Sequence, residues 1–478
     1  MMKVLFTAAE AVPFIKTGGL GDVIGSLPKE LSRNDIDVRV IMPRYRDIAP
    51  EYLDKMVVTH RIIVPVGWRQ QVCDISCLEY EGVTFYFIGN EYCFDRPGLY
   101  GFPDDSERFA FFCRAVLEAL PHIEFRPDIL HCHDWHSGMI SVLLEAHYRE
   151  NPFYSGIKTI FTIHNLAYQG NFPKEILGDL FNLGWEFFNP EGVEFSGQVS
   201  FMKGALNFSD YITTVSGNYA EEILQPDRGQ NMDGLLRSRR KHLIGIRNGI
   251  DYSEYNPAKD SLIYTRFDAR SLRRRRENKL KLQETLGLWI SEDIPVIGLV
   301  ARLVHSKGFD LISQVLEEIL ALNTQIVLLG QGEEGYQKLF EDAAAKYPDR
   351  VSANITFSNE LARQIYAGAD IFLMPSQYEP CGLSQLNAMR YGCIPLVFAT
   401  GGLKETVEPF NYQTGEGTGF VFSEYEAEQL LFTVKMATEV YRNKKAWNKL
   451  IRSAMKSDFS WRQSSQQYKA LYGELINK

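Results

Sequence analysis

No stretch of this sequence approaches the ~18 apolar residues that a membrane-spanning helix needs, and low-complexity segments are absent. Residues 1–10 hold one lysine and a short apolar run before Glu10. They lack the basic region and long apolar region of a secretory signal. Cysteine is scarce and irregularly spaced: Cys73, Cys77, Cys93, Cys113, Cys132, Cys381 and Cys393. An odd, scattered set argues against a disulfide framework and for a reduced compartment. The expectation is a soluble, cytoplasmic protein. An excess of positive charge is also lacking, since 51 Lys and Arg stand against 60 Asp and Glu, for a net charge of −9. Duplex binding rests largely on phosphate neutralisation, so a general nucleic-acid binder is excluded. An anionic ligand would have to be met by a local group of cations.

What is present is ordinary globular composition, 45% hydrophobic and 23% charged, over 478 residues. At about 150 residues per domain this allows two to three domains. Short apolar runs alternate with helix-length amphipathic segments. The runs are Val4–Ala8, Val38–Met42, Asp128–His133, Lys158–His164 and Tyr211–Val215, then Leu243–Arg247, Pro295–Val300, Gln325–Leu329, Asn354–Phe357, Asp370–Met374 and Cys393–Phe398. Such alternation predicts buried parallel strands in βαβ units. Polar residues follow the runs, including His133-Asp134, His164-Asn165, Asn248 and Arg302. In open α/β sheets, ligands bind outside the carboxyl ends of the strands. A boundary near 240–245 divides the chain into halves. Arg273–Arg276 reads as a solvated helix face. Near the end, Trp461, Tyr468, Leu471, Tyr472 and Leu475 share one helix face, which a return to the first domain would bury.

Lys16-Thr17-Gly18-Gly19-Leu20-Gly21-Asp22 follows the first run, and its glycines allow a ligand close to the backbone. A dinucleotide fingerprint is a poor fit: the third glycine falls at 25, and the second run ends in Pro43-Arg44 without an acidic residue. His131, His133 and His136 invite a metal reading, but no evident fourth ligand accompanies them. Asp35-Ile36-Asp37 precedes a strand and reads as a surface turn. Arg302 and Lys307 flank a strand end, where two cations can hold a diphosphate; alone, they could equally be a surface pair. In Glu379-Pro380-Cys381-Gly382-Leu383-Ser384 a carboxylate precedes a helix start whose free amides suit phosphate oxygens. A capping glutamate is the alternative. Thr400-Gly401-Gly402 offers another close-approach turn.

Seven of these elements stand in one order: Lys16–Val23 (KTGGLGDV), His133–His136 (HDWH), Thr162–Gly170 (TIHNLAYQG), Asn248–Asp251 (NGID), Arg302 with Lys307-Gly308, Glu379–Leu383 (EPCGL) and Thr400–Leu403 (TGGL). In order and spacing the chain resembles bacterial glycogen synthases and plant starch synthases, from residue 3 to about residue 475. The resemblance implies two Rossmann-like, doubly wound α/β domains facing across a cleft, the GT-B type. Residues 1–242 would form the acceptor side, residues 243–457 the nucleotide-sugar side, and residues 458–478 a helix packing back on the first domain. The implied activity moves glucose from ADP-glucose to the non-reducing end of an α-1,4-glucan with retention. No cofactor or metal is expected.

The resemblance also implies roles. Lys16, Gly18, Gly19, Gly21 and Asp22 would meet the donor, and Asn248 would assist. Arg302 and Lys307 would hold the diphosphate with the backbone of Leu383 and Ser384. Glu379 would hold the sugar hydroxyls, with Cys381, Gly382, Thr400 and Gly401 completing the donor turn. Asp134 and His164 would lie at the glucose and acceptor side, and Glu10, Asp95, Asn165 and Gln169 in the acceptor region. No carboxylate pair for a double displacement is evident, and the resemblance implies front-face attack with the leaving phosphate taking the acceptor proton. One departure bears on the donor. Ser358 stands where the family commonly has a tyrosine that stacks on the nucleobase. UDP-glucose as donor and a non-catalytic glucan-binding protein are the alternatives. Oligomeric state is not legible in the sequence.

Overall fold

A computed structural model describes residues 1–477. The chain divides into two compact units, Met1–Gly249 with Trp461–Lys478, and Ile250–Ser460.

The first unit is built on a nine-stranded sheet. Its order is Leu243–Gly245, Tyr211–Thr214, Lys158–Ile163, Ile129–His133, Met2–Thr7, Ile36–Pro43, Val83–Gly89, Arg69–Tyr80 and Val57–Val66. Pairing is parallel except where Arg69–Tyr80 runs antiparallel to both its neighbours. Val4, Leu5 and Phe6 in the central strand have no exposed surface, as expected for a strand covered on both faces. The order reverses beside Met2–Thr7, whose successor in sequence lies on one flank and Ile129–His133 on the other. This is the topological switch point, where open α/β sheets bind ligands.

Two expectations need correction. The strand Leu243–Gly245 pairs with Tyr211–Thr214, so the sequence-based boundary at 242/243 falls inside the first sheet. The first unit keeps the chain to Gly249, and the second keeps it to Ser460. Also, residues Asn354–Phe357 do not form a strand; the strand is Val351–Asn354.

The helix Trp461–Ile476 belongs to the first unit. Tyr468, Leu471, Tyr472 and Leu475 are buried. The Tyr472 hydroxyl pairs with His131 Nδ1 at 2.8 Å, and Tyr211 donates to Glu474 Oε1 at 2.8 Å.

The second unit has six strands, all parallel. They are ordered Val351–Asn354, Gln325–Leu329, Val296–Val300, Ile371–Met374, Ile394–Phe398 and Phe420–Phe422. Its switch point lies between Val296–Val300 and Ile371–Met374. The arginine run lies in the helix Leu272–Thr285, but Arg275 is not on a solvated face. It is buried, with Nε donating to Tyr391 O at 3.0 Å and Nη2 donating to Ala369 O.

Candidate functional site

At the switch point of the first unit, the chain leaves Met2–Thr7 through Ala8-Ala9 and places Glu10 where it is only 2% exposed. Thr17 donates to the Glu10 carboxylate through its backbone N–H and, at 3.3 Å, through Oγ1. The Tyr100 hydroxyl donates to Glu10 Oε1 at 3.1 Å and also pairs with Thr17 Oγ1. Burial raises the Glu10 pKa from its ordinary value, and these donors oppose the rise.

Asp134 ends the neighbouring strand with φ of 54°, a conformation few non-glycine residues adopt. This turn aims its carboxylate back at the next strand end. Asp134 Oδ1 accepts from the backbone N–H of His164 at 2.8 Å and of Asn165 at 3.4 Å. Burial pushes its pKa up to about 7, and the charge of Glu10 adds to the rise. His164 Nε2 lies 2.9 Å from His133 Nδ1. Burial lowers the His164 pKa to about 3 and that of His133 well below normal, so this imidazole pair is neutral at pH 7. His131 is engaged by Tyr472 and, at 2.6 Å, by Thr162 Oγ1. The His136 ring lies between Trp135 and Tyr100, with centroids 4.0 and 4.6 Å away. Neither of its nitrogens has a hydrogen-bond partner among the described residues. Among these residues no group of three or more His, Cys, Asp or Glu is placed to hold a metal ion.

The glycine turn opens the helix Gly19–Ser32, with Gly18 at its N-cap and Gly21 packed on Lys16. Lys16 Nζ pairs with Asp22 Oδ1 at 2.8 Å, both about a third exposed. Gln169 is committed elsewhere, donating to Gln230 O at 3.0 Å. Asn165 Oδ1 accepts from Ala167 N at 3.0 Å. Asp95 caps a short helix and is exposed. The residue of its loop that reaches Glu10 is Tyr100, which the motif reading does not single out; a tyrosine in a glycine-flanked loop carries no periodic signal. Asn248 lies in the first unit, not the second. It is 4% exposed, and its Oδ1 has no partner among the described residues.

The second unit repeats the logic at its own switch point. Arg302 follows Val296–Val300; it is exposed, and its guanidinium has no partner among the described residues. Lys307 ends a short 3₁₀ turn. Gly308 follows with φ of +81°, packed so tightly that a Cβ would come within 2.2 Å of Pro375 O. The turn is thereby pressed onto the end of Ile371–Met374, and Gln377 N donates to Ser306 O at 3.0 Å. Glu379 emerges from that strand end, and Lys307 Nζ lies 2.6 Å from Glu379 Oε2. The turn Thr400–Gly402 rests on the same segment, since Gly402 N donates to Glu379 O at 3.1 Å. A Cβ on Gly401 would come within 2.0 Å of that same oxygen. Cys381 is buried, Gly382 has φ of +72°, and the helix Ser384–Arg390 starts without a side-chain cap. No capping side chain therefore competes for its first amides. Thr400 Oγ1 is buried and unpartnered among the described residues.

Two kinds of chemistry result. The first unit gathers two buried carboxylates, hydroxyls and neutral imidazoles, which suit hydroxyl-rich neutral ligands. The second gathers two cations, one carboxylate and free amides, which suit phosphate beside a sugar.

Comparison with known proteins finds a separate family model for each half of the chain. Residues 3–238 match the family described as starch synthase catalytic domain, and residues 288–457 match glycosyl transferases group 1. The glycogen synthase of Desulforamulus reducens is 54% identical over 475 residues, covering 99% of each chain. That of Anoxybacillus flavithermus is 52% identical, covering 99% of this chain and 98% of the relative. The catalytic domain of starch synthase IV from Arabidopsis thaliana, solved with ADP and acarbose, is 33% identical with a TM-score of 0.94 over all of both chains. Sucrose-phosphate synthase of Thermosynechococcus elongatus, 17% identical with a TM-score of 0.63, shares the fold.

Proposed function

The chain belongs to the bacterial glycogen synthase and starch synthase family of GT-B type glycosyltransferases, and from that premise we propose that it transfers glucose from ADP-glucose to the non-reducing end of an α-1,4-glucan with retention. The observation that carries this reading is the Lys307–Glu379 pair, 2.6 Å apart at the switch point, with Arg302 unpaired on the adjoining loop. Arg302 and Lys307 hold the diphosphate and stabilise it as it leaves. The amides of Leu383 and Ser384 take further phosphate oxygens, within the turn formed by Cys381, Gly382, Thr400 and Gly401. Glu379 takes the sugar hydroxyls. Within the first unit, the family resemblance assigns Lys16, Gly18, Gly19, Gly21, Asp22 and Asn248 to the donor, and the Asn248 Oδ1 is left without a partner among the described residues.

On the acceptor side, Glu10, Asp134 and His164 supply fixed acceptors and a neutral imidazole, with Asn165 and Gln169 following His164 in sequence and Asp95 in the loop that leads to Tyr100. The acceptor hydroxyl attacks the anomeric carbon from the face the diphosphate leaves, and its proton passes to a leaving phosphate oxygen. The protein supplies cations, positioned hydroxyl clamps and exclusion of water. No metal or cofactor is required for that balance. None of the seven cysteines forms a disulfide, which fits a cytoplasmic setting, and among the described residues no helix is long and apolar enough to cross a membrane.

UDP-glucose as donor is the second reading. It is favoured by Ser358, whose Oγ caps the helix Asn359–Gly368 by accepting from Leu361 N at 3.1 Å and offers no ring to a base. Nucleoside diphosphate release with glycogen and each donor tests both. Release from ADP-glucose with a much higher kcat/KM supports the first reading, and release from neither donor sinks both.

A further inference from the structure

Tyr100 sits in an irregular loop, yet the peptide units on either side of it are each held by one member of a single buried ion pair. Arg108 has no exposed surface and Asp105 is 4% exposed. Arg108 Nη1 lies 2.5 Å from Asp105 Oδ1. Arg108 Nη2 donates to Leu99 O at 2.9 Å, in the peptide before Tyr100, and Nε donates to Cys93 O at 2.6 Å. Asp105 Oδ2 accepts from Gly101 N at 2.6 Å, in the peptide after Tyr100, and from Phe102 N at 3.1 Å. The loop is tied further out by Gly98 N donating to Asp47 Oδ2 at 2.6 Å, and by Arg96 with Asp104 at 2.9 Å.

A buried ion pair is a poor way to gain stability, because desolvation consumes most of the Coulomb attraction and apolar side chains would fill the space as well. Apolar side chains cannot, however, fix one carbonyl and one amide at set points. Here those two points determine where the Tyr100 side chain stands. Its hydroxyl meets Glu10 and Thr17, and its ring packs on His136. The cluster it completes contains two carboxylates, Glu10 and Asp134, while the cation of the adjoining turn, Lys16, is paired with Asp22. Such a cluster recognises sugar hydroxyls and repels phosphate.

We infer that Arg108 and Asp105 are positioning residues for the glucan acceptor, acting through Tyr100 on the orientation of the Glu10 carboxylate. The inference rests on the glucosyl-transfer reading above. Lysine at 108 keeps the charge but cannot reach Leu99 O, Cys93 O and Asp105 together, and asparagine at 105 keeps the shape but loses the charge.

The test compares wild type, Arg108→Lys, Asp105→Asn, Tyr100→Ala and the double variant Arg108→Lys/Tyr100→Ala, with maltohexaose as acceptor. KM for maltohexaose should rise about tenfold in Arg108→Lys, the scale of one hydrogen bond to a charged group, while KM for the nucleotide sugar stays within about twofold. In the Tyr100→Ala background, with no side chain left to place, Arg108→Lys should add no more than about twofold to the acceptor KM. Should Arg108→Lys fail to fold, Asp105→Asn with and without Tyr100→Ala carries the same comparison. A lower Tm with wild-type acceptor KM, or effects that multiply in the double variant, overturns the inference and leaves the pair a structural one. Calorimetric binding of maltohexaose repeats the comparison without turnover. If wild type releases no nucleoside diphosphate, the transfer reading fails, and equal maltohexaose binding by wild type and Arg108→Lys still overturns the positioning role.

Discussion

The ammonium of Lys307 stands 2.6 Å from Glu379 Oε2, with Lys307 21% and Glu379 10% exposed, and no strand lies between the two strand ends that carry them. A partly buried pair of this kind gains little net stability, because desolvation of the two charges offsets most of their attraction. In the proposed transfer, the pair places charge before the ligand arrives. Lys307→Ala should therefore lower kcat/KM by about 10²–10³, the worth of one preorganised donor to a developing anion, and should lower Tm as well, because the Glu379 carboxylate loses its counter-charge. Glu379→Ala should abolish transfer with the fold intact. A near-wild-type kcat in either variant rules out the role assigned to that residue.

Asp134 gives a stability signature. Its folded pKa is raised to about 7, against about 3.9 in an unfolded chain. The folded state therefore binds more protons between those values, and its stability falls as pH rises from about 4 to about 7, then levels off. Asn at 134 keeps an oxygen for the His164 and Asn165 amides without the charge. Asp134→Asn should have a higher Tm than wild type at pH 8, the gap closing toward pH 4. A gap independent of pH would show that desolvation of Asp134 is not its source.

Gly401 separates local strain from local function. Its φ is +43°, and a Cβ would lie 2.0 Å from Glu379 O. Gly401→Ala must displace the Glu379 segment, so kcat/KM should fall at least about tenfold, together with roughly 1–3 kcal/mol of stability. Gly287, with φ of +70° and open space around it, is the control. Gly287→Ala should cost about 1 kcal/mol and leave kinetics unchanged. Equal kinetics in the two variants would show that the turn does not set Glu379.

Ser358 tests the donor readings. As an N-cap its loss should cost about 1 kcal/mol, read as a lower Tm in Ser358→Ala. If capping is all it does, the ratio of kcat/KM for ADP-glucose to that for UDP-glucose stays fixed. A shifted ratio would assign it a part in donor choice.

The parallel core was legible because strands buried on both faces must be apolar throughout, as Val4–Phe6 and Val296–Val300 are. The hairpin Val57–Tyr80 escapes that criterion. It lies at the sheet edge, and residues such as Arg61 and Val72 face solvent, so polar and apolar residues mix. Of the candidate site residues, Asp134, Lys307 and Glu379 could be picked out because each follows or adjoins a strand end, whereas Glu10 was marked only by the family resemblance. Tyr100 could not be picked out, because its place depends on Arg108 and Asp105 within the next helix, a tertiary constraint without sequence period. Arg275 misled for a related reason: one member of a charged run can turn inward when backbone carbonyls await it.

Tyr472 joins the C-terminal helix to the strand that ends in the site. Its hydroxyl satisfies His131 Nδ1, His131 Nε2 meets Thr162 Oγ1, and the His131 ring lies 4.2 Å from that of His133, the partner of His164. Burial holds His131 well below its normal pKa, so the neutral ring cannot recover a lost partner by taking a proton at pH 7. Tyr472→Phe should thus cost about 1–3 kcal/mol, the penalty of an unsatisfied buried polar atom, seen as a Tm several degrees lower. Transfer at 25 °C should stay within about twofold, because His133 still meets His164. An unchanged Tm would mean that the hydroxyl contributes nothing to anchoring this helix, and a large loss of transfer at unchanged Tm would instead place Tyr472 in the alignment of His164.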